Sequence, residues 1–133
     1  MITVVAALIK KDNKYLIAKR KTGDINVINK WEFPGGKVEL NENEKQAIER
    51  EMKEEFDMNV KAIKFLVNNV CEYPSKTIDL RLYECDYVKG KFKLNDHSDY
   101  VFVSKEDLLN YDLCPADIPI AKFIKEMEYE RNI

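Results

Sequence analysis

The chain has 133 residues, of which 45% are hydrophobic and 35% are charged, and its formal net charge is −2. This composition is typical of one globular domain, and the negative charge argues against duplex nucleic acid, whose binders are generally basic. No apolar run approaches the ~20 residues of a membrane span, and the apolar start lacks the basic flank of a signal peptide. The cysteines, Cys71, Cys85 and Cys114, have no CxxC spacing, so we expect reduced thiols in a cytoplasmic protein without membrane contact.

The first forty residues predict a series of β segments. Residues 2–9 and 14–20 are apolar and β-prone, and the intervening Asp12-Asn13 pair predicts a hairpin. Residues 29–40 predict short strands around a Pro-Gly-Gly turn, whose glycines permit a positive φ and a close approach of the backbone.

A helix follows, and two of its faces differ in chemistry. Asn43 and Gln46 predict a capping box, and the helix then continues to about Phe56. An apolar stripe consists of Ile48, Met52 and Phe56. Beside it, three carboxylates share roughly 100° of arc: Glu51, Glu54 and Glu55. Like charges at this spacing repel by roughly 0.2–0.5 kcal/mol per pair, so the cluster is either a solvated face or a site for a divalent cation.

The second half of the chain predicts further strands and then helices. Residues 60–70, 76–88 and 99–104 have strand patterns, and a short helix is expected after Ser104. A last helix carries its apolar residues on one face: Ile120, Phe123, Ile124 and Met127. This order of elements favours a mixed sheet with helices packed on it.

The stretch from Gly36 to Met58 carries a more specific pattern. It has Gly36, five residues, Glu42, seven residues, and then Arg-Glu-Met-Lys-Glu-Glu-Phe-Asp-Met at positions 50–58. This pattern resembles the Nudix box, the 23-residue signature of the Nudix hydrolases. Asp57 stands where the family has a glycine that typically ends the helix. Aspartate tolerates the left-handed conformation better than most residues, so we expect it to end the helix at some cost.

The similarity covers nearly the whole chain. The segments VVAALI, YLIAKR, WEFPGGKVE and CPADIPI look like the MutT-type branch, and in particular its CTP pyrophosphohydrolase and oxidised-nucleotide members. The resemblance implies an α/β protein with the Nudix fold, an α/β/α sandwich around a mixed β-sheet, as a single domain over residues 1–133. It also implies hydrolysis of a nucleoside diphosphate linked to another group.

The resemblance implies a metal site on the acidic side of the helix. Mg²⁺ is the expected ion and Mn²⁺ a possible substitute, because a divalent cation both cancels polyphosphate charge and activates a bound water. The matching positions are Glu51 and Glu55 as ligands, Glu54 as a further ligand or base, and the carbonyl oxygen of Gly36.

Three further polar positions each have two interpretations. Glu42 either braces the loop before the helix through Arg50 or forms a structural salt bridge only. Asp96 aligns with the loop acid that MutT-type enzymes bring to the site, although it is shorter than the usual glutamate, and the alternative is a solvated turn residue. His97, the only histidine, is either a loop-tip residue or a phosphate contact.

Four residues are candidates for substrate binding. Arg20 and Lys76 match positions that hold the phosphate or sugar side of the nucleotide in relatives, and each could instead be a surface cation. Phe33 either lines a base pocket or packs in the core. Asp117 matches a position that reads the edge of the base in relatives, but its place two residues before a proline also suits an N-cap.

We therefore expect a Mg²⁺-dependent nucleoside triphosphate pyrophosphohydrolase that yields the nucleoside monophosphate and pyrophosphate. The expected substrates are CTP, dCTP and their modified forms, or oxidised purine triphosphates such as 8-oxo-dGTP. The alternatives are a Nudix hydrolase of ADP-ribose or another nucleotide conjugate, and a non-catalytic nucleotide sensor on the same fold. The sequence leaves both a monomer and a homodimer open.

Overall fold

The computed structural model describes residues 1–127, which contain seven strands and two α-helices. In chain order the elements are β1 (Ile2–Lys11), β2 (Lys14–Arg20), β3 (Trp31–Glu32), β4 (Gly35–Lys37), α1 (Glu44–Phe56), β5 (Met58–Tyr73), β6 (Lys76–Gly90), β7 (His97–Ser104) and α2 (Ile118–Glu126). Short 3-10 helices lie at Leu108–Asn110 and Pro115–Asp117. No helix in this part of the chain has the length and apolar character needed to cross a membrane.

The strands of this region form one mixed sheet. Its central path runs β3-β2-β1-β6-β5, with β4 pairing with β1 and β7 pairing with β2. β1 and β6 are parallel, whereas the other strand pairs are antiparallel. α1 packs on one face and α2 on the other. The expected α/β/α sandwich around a mixed sheet is therefore confirmed.

β1 lies at the centre of the core because both of its faces are covered. Val5, Ala7 and Ile9 pack with α1, whereas Ala6 and Leu8 pack with α2. Alternate residues of a strand point to opposite faces, so a strand between two layers of helices is apolar at successive positions. This arrangement explains the uninterrupted VVAALI run.

α1 begins and ends where the sequence predicts. Asn43 Oδ1 accepts a hydrogen bond from the Gln46 N–H at 2.8 Å, and Gln46 Oε1 accepts one from the Asn43 N–H at 2.9 Å, which completes the capping box. Asp57 ends the helix with φ 53° and ψ 42°, and its N–H donates to the Lys53 carbonyl at 3.0 Å. The buried stripe consists of Ile48, Met52 and Phe56. Asp57 thus adopts the left-handed conformation usually given to glycine.

The Pro-Gly-Gly segment uses its glycines for close approach only. Gly35 and Gly36 lie in β4, and neither has a positive φ. The backbone of Gly35 runs against β1, where a Cβ atom would overlap the carbonyl oxygen of Val5. Neither position uses the positive φ that glycine permits, because an extended strand needs none, whereas the close approach that glycine also permits is present at Gly35.

The second half of the chain differs from the sequence pattern in its details. β5 and β6 are 16 and 15 residues long, which is longer than predicted. The alternation of buried residues along β6 stops at Tyr83, because that side chain packs under α1. The helix expected after Ser104 is a turn followed by a 3-10 helix. α2 buries the expected face, with Ile120 and Ile124 in the core.

Candidate active site

The acidic flank of α1 faces a cleft next to β4. Glu55 is 8% exposed, and its Oε1 atom has no hydrogen-bond partner within residues 1–127. Glu51 is half-buried one turn earlier. Burial, which is the largest cause, and the neighbouring carboxylates together raise the pKa of Glu51 to about 7 and that of Glu55 to about 9. Such shifts indicate buried, concentrated negative charge that Arg50 and Arg20 offset only in part.

Gly36 adjoins Glu51 at the edge of this cleft. A Cβ atom at position 36 would overlap the Glu51 carboxylate, so only glycine leaves room for that side chain. Gly36 pairs with Val5 of β1, which holds its backbone in place beside the helix. The backbone of Gly36 and the Glu51 carboxylate therefore lie next to each other, and carboxylate and peptide carbonyl oxygens are donors of the kind that hard divalent cations bind.

Arg50 links α1 to the loop before it. Its guanidinium contacts both carboxylate oxygens of Glu42, at 2.7 Å from Nη2 and 3.0 Å from Nε. Nη2 also donates to the Lys37 carbonyl at 3.0 Å, and Nη1 lies 3.6 Å from the Glu51 carboxylate. The predicted brace is present, and it reaches from the loop to the carboxylate cleft.

Glu54 differs from the other two glutamates. Its side chain is 57% exposed and pairs with Arg50 Nη1 at 3.2 Å. As the side chains stand, residues 1–127 contain no group of three or more His, Cys, Asp or Glu side chains arranged to hold a metal ion. A metal role for Glu54 requires that its side chain leave Arg50, so its assignment as a ligand or base stays a prediction.

The chemistry of the cleft nevertheless fits a divalent cation. The carboxylates are partly or fully withdrawn from water, one buried oxygen of Glu55 has no partner in the described chain, and Gly36 makes room for Glu51. The available donors are carboxylate and carbonyl oxygens, which suit Mg²⁺ or Mn²⁺ rather than a soft metal.

Two more residues of the cleft are Asp96, just before β7, and His97, at its first position. Asp96 is exposed, and it lines a space of about 230 Å³ together with Glu55. His97 was expected at a loop tip, but it is 3% exposed: Nε2 lies 2.9 Å from Glu32 Oε2, and the ring stacks on Phe56. The loop-tip interpretation is wrong, because β7 already begins at His97 and pairs there with β2.

A second pocket, of about 180 Å³, lies between β4, the start of β6 and the 3-10 helix that ends at Asp117. Asp117 is 4% exposed, and its Oδ1 accepts the Phe33 N–H at 2.9 Å. Burial raises the pKa of Asp117 well above its usual range, and the charge of Glu32 adds to the effect. The pocket therefore contains a buried carboxyl group on which the charges of Glu32 and Arg20 act.

Asp117 lies at the N-cap position of α2, as predicted, but its side chain does not cap the helix. Its side chain makes no hydrogen bond to the first turn of α2. Its φ of −88° and ψ of −15° are helical, because Asp117 already closes the preceding 3-10 helix, whereas an N-cap residue is normally extended. The other interpretation, that Asp117 reads the base, stays a prediction.

The remaining predicted substrate residues surround this pocket. Phe33 lines it, although its side chain is buried in the core on the α2 side of the sheet. Lys76 is exposed at the rim. Arg20 lines both this pocket and the carboxylate cleft, and its Nη1 pairs with Glu32 Oε1 at 3.1 Å. The two spaces therefore share a wall.

The lining of the pocket also includes residues that no sequence pattern assigned to it, among them Glu32, Tyr73 and Cys114. Glu32 lies in the WEFPGG segment, where a single acidic residue among apolar neighbours was the available signal. The Tyr73 hydroxyl accepts the Ala116 N–H at 3.2 Å across 43 positions of the chain, and no local pattern reveals a contact of that range.

Comparisons with known proteins agree with this geometry. A family model described as the NUDIX domain matches residues 1–126. The CTP pyrophosphohydrolase of Escherichia coli (strain K12) is 36% identical over 120 residues, which cover 90% of this chain and 88% of that protein. The 8-oxo-dGTP diphosphatase of the same strain is 25% identical over 126 residues, which cover 95% and 98%. The crystal structure of a MutT protein from Methanosarcina mazei Go1 has a TM-score of 0.83 at 27% identity and covers 99% of this chain and 96% of that one.

The chain belongs to the Nudix hydrolase family. The resemblance seen in the sequence is confirmed, and the chain is an enzyme of the Nudix type with MutT relatives. Nudix hydrolases generally use divalent metals, which agrees with the negatively charged, oxygen-rich cleft on α1.

Proposed function

We propose that this Nudix hydrolase is a cytoplasmic nucleoside triphosphate pyrophosphohydrolase that uses Mg²⁺. One observation carries the proposal: Arg20 and Glu32 line both the pocket at Asp117 and the carboxylate cleft at Glu55. A nucleotide whose base lies at Asp117 would extend its phosphates past Arg20 towards the carboxylates. The names of the relatives, a CTP pyrophosphohydrolase and an 8-oxo-dGTP diphosphatase, support the same class of reaction.

The metal would be held by Glu51, Glu55 and the carbonyl oxygen of Gly36. Glu54 would join them, as a ligand or as a base, after its side chain leaves Arg50. When bound, Mg²⁺ supplies neutralisation of phosphate charge and a more acidic water, and Mn²⁺ offers the same chemistry. The raised pKa values of Glu51 and Glu55 support this role, because a bound cation stabilises the ionised forms that burial and repulsion disfavour.

Other residues of the chain would act on the substrate and on water. Arg20 would bind phosphate oxygens, for which a guanidinium provides several donors. Lys76 would neutralise the phosphate or sugar side of the nucleotide from the rim of the pocket. Asp96 would accept a hydrogen bond from the attacking water and so orient it. One water is consumed, one phosphoanhydride bond breaks, and the products are the monophosphate and pyrophosphate.

Asp117 would read the base, with Phe33 beside it, and the proposed substrates are CTP, dCTP and their modified forms, or 8-oxo-dGTP. One oxygen of Asp117 accepts the Phe33 N–H, which leaves the other for the edge of the base. Burial favours the protonated carboxyl group, which both donates and accepts hydrogen bonds. Such a group suits a base edge that combines a carbonyl oxygen with an amine.

Formation of pyrophosphate and of the nucleoside monophosphate from a nucleotide panel tests the proposal. The panel holds CTP, dCTP, dGTP and 8-oxo-dGTP, with ADP-ribose, which would give AMP and ribose 5-phosphate but no pyrophosphate, as the alternative substrate. Each is assayed with Mg²⁺, with excess chelator, and again after Mg²⁺ is restored. We expect pyrophosphate only when the divalent cation is present. Turnover of ADP-ribose alone would overturn the substrate class, and nucleotide binding without any turnover would identify a sensor.

Glu55→Gln tests whether the reaction takes place in the carboxylate cleft, and Glu49→Gln is its control. Glu55→Gln removes a ligand charge but keeps the shape of the side chain, so kcat should fall at least ~10³-fold while Tm stays the same or rises. Glu49 lies on the same helix but accepts the Ala62 N–H at 3.1 Å, so Glu49→Gln should keep normal kcat. Full activity in Glu55→Gln would contradict the assignment.

A further inference from the structure

Glu32 and His97 are polar residues of the carboxylate cleft to which the proposed reaction assigns no task. The Glu32 carboxylate is held at both of its oxygens: Oε1 lies 3.1 Å from Arg20 Nη1, and Oε2 lies 2.9 Å from His97 Nε2. The His97 and Glu32 side chains are 2% and 15% exposed, whereas that of Arg20 is 34% exposed. The partly exposed Arg20 is thus paired with Glu32, which in turn contacts the buried His97.

The order of the strands brings the three side chains together. β2 lies between β3 and β7, and Glu32, Arg20 and His97 come from these three neighbouring strands. Arg20 pairs directly with His97 across a register shift that follows Lys19. A β-bulge changes the direction of the side chains on its strand. Lys19 pairs with Asp99, and the shift places Arg20 opposite His97 instead of Ser98.

His97 is held in one orientation on its other side. Its ring stacks on Phe56 with centroids 5.3 Å apart and an interplanar angle of 11°. Phe56 follows Glu55 in α1, so His97 packs against the end of the helix that carries the carboxylates. Nδ1 of His97 is buried and has no hydrogen-bond partner within residues 1–127. Since an ionised carboxylate only accepts, Nε2 must carry the proton that bonds to Glu32.

We propose that His97 is a positioning residue that acts through Glu32 to hold the Arg20 guanidinium at the boundary between the base pocket and the carboxylate cleft. The proposal rests on the proposed function in that Arg20 meets the phosphates of a nucleotide there. A long arginine side chain loses rotamer freedom when it binds a ligand, and a carboxylate fixed at both ends removes that freedom in advance. Without the His97 donor, Glu32 has a free oxygen and can turn away from Arg20.

The first test is the tautomer of His97 in the substrate-free protein. His97 is the only histidine of the chain, so a ¹⁵N spectrum of the imidazole shows a single ring. At about pH 8 we expect a proton on Nε2 and none on Nδ1. A proton on Nδ1 instead would overturn the proposal, because Nε2 could then not donate to Glu32.

The second test uses two variants that separate the donor from the ring. His97→Gln keeps an N–H donor near the position of Nε2, and His97→Phe keeps the stack on Phe56 without the donor. In His97→Phe we expect the Nε–Hε signal of Arg20 to shift and KM for the best triphosphate to rise at least fivefold, with kcat changed less. In His97→Gln both should stay within twofold of the wild type. Equal losses in the two variants, which a purely structural role predicts, would overturn the proposal.

A double-mutant cycle with Arg20→Ala tests whether His97 acts through Arg20. If His97 acts through Arg20, His97→Phe should change KM less than twofold in the Arg20→Ala background. The same fivefold rise in both backgrounds would overturn the inference. The Nε–Hε signal of Arg20 is measured without substrate, so it tests the positioning by His97 independently of the proposed function. A shifted signal without turnover of any triphosphate would reject the function and keep the positioning, and an unshifted signal would reject the positioning alone.

Discussion

At the scale of single residues, burial decides which of two roles a side chain takes. The sequence allowed the Asp117 side chain to cap a helix or to read a base, because the position suits either role. In the structure the carboxyl group is buried and accepts the Phe33 N–H, so it does not cap α2 and remains a polar group of the pocket. Two predictions follow from that environment.

Substitution of Asp117 should change base preference rather than overall activity. Asp117→Asn keeps an acceptor for the Phe33 N–H but fixes a donor at the second position. kcat/KM should therefore change by different factors for CTP, dCTP, dGTP and 8-oxo-dGTP, within roughly 5- to 150-fold. Asp117→Ala also loses the acceptor, so it should lower the free energy of unfolding by ~1–3 kcal/mol. A uniform ratio across the four bases would remove Asp117 from base recognition.

The raised pKa of Asp117 should make stability depend on pH. Its carboxyl group binds a proton more tightly in the folded protein than in the unfolded chain, where the pKa is ~3.9. Its contribution is complete below about pH 4 and is lost as the pH rises towards the folded pKa. Glu32 strengthens this effect and Arg20 opposes it. Urea unfolding from about pH 4 to 8 should show the wild type losing stability relative to Asp117→Asn, and parallel curves would contradict the prediction.

At the scale of elements, β4 connects the sheet to the carboxylate flank of α1. Its two glycines meet different neighbours: Gly35 faces the backbone of β1, and Gly36 faces the end of the Glu51 side chain. A backbone atom in a paired strand has little freedom to move, whereas a carboxylate can rotate away. The same added methyl group should therefore damage stability at one position and activity at the next.

Gly35→Ala and Gly36→Ala test this difference. Gly35→Ala should lower the free energy of unfolding by ~1–3 kcal/mol, because β1 and β4 must separate to admit the methyl group. Gly36→Ala should leave Tm nearly unchanged but lower kcat at least ~10-fold, because Glu51 must leave its place in the cleft. Tm and kcat are measured for both variants. Normal kcat in Gly36→Ala would show that the position of Glu51 does not matter.

At the scale of the whole molecule, β1 connects the two layers of the core. One of its faces packs with α1 and the other with α2, so neither layer is complete without it. We expect the chain to unfold as a single domain in one transition. Far-UV circular dichroism and the fluorescence of Trp31, the only tryptophan, should give the same midpoint. Separate midpoints would show that the two layers unfold independently.

The sequence by itself determined the features that depend on neighbours in the chain. The capping box of α1, its buried stripe, its left-handed end at Asp57 and the hairpin turn at Asp12-Asn13 involve residues within about four positions, and all are present. The carboxylate flank belongs to the same group, because helical geometry alone puts Glu51 and Glu55 on one side. The family signature, from Gly36 to Met58, covers the features of α1, so it too could be recognised from the sequence.

Only the tertiary structure determined the burial and hydrogen bonds of residues whose partners are distant in the chain. Glu32 and His97 are 65 positions apart, and Phe33 and Asp117 are 84 positions apart. Their burial and hydrogen bonds depend on which strands pair and in which register, and no periodicity within a segment encodes that. The expectations for His97 at a loop tip and for Asp117 as a cap therefore failed. A local pattern specifies the backbone of an element, while the environment of a side chain is set by the elements packed against it.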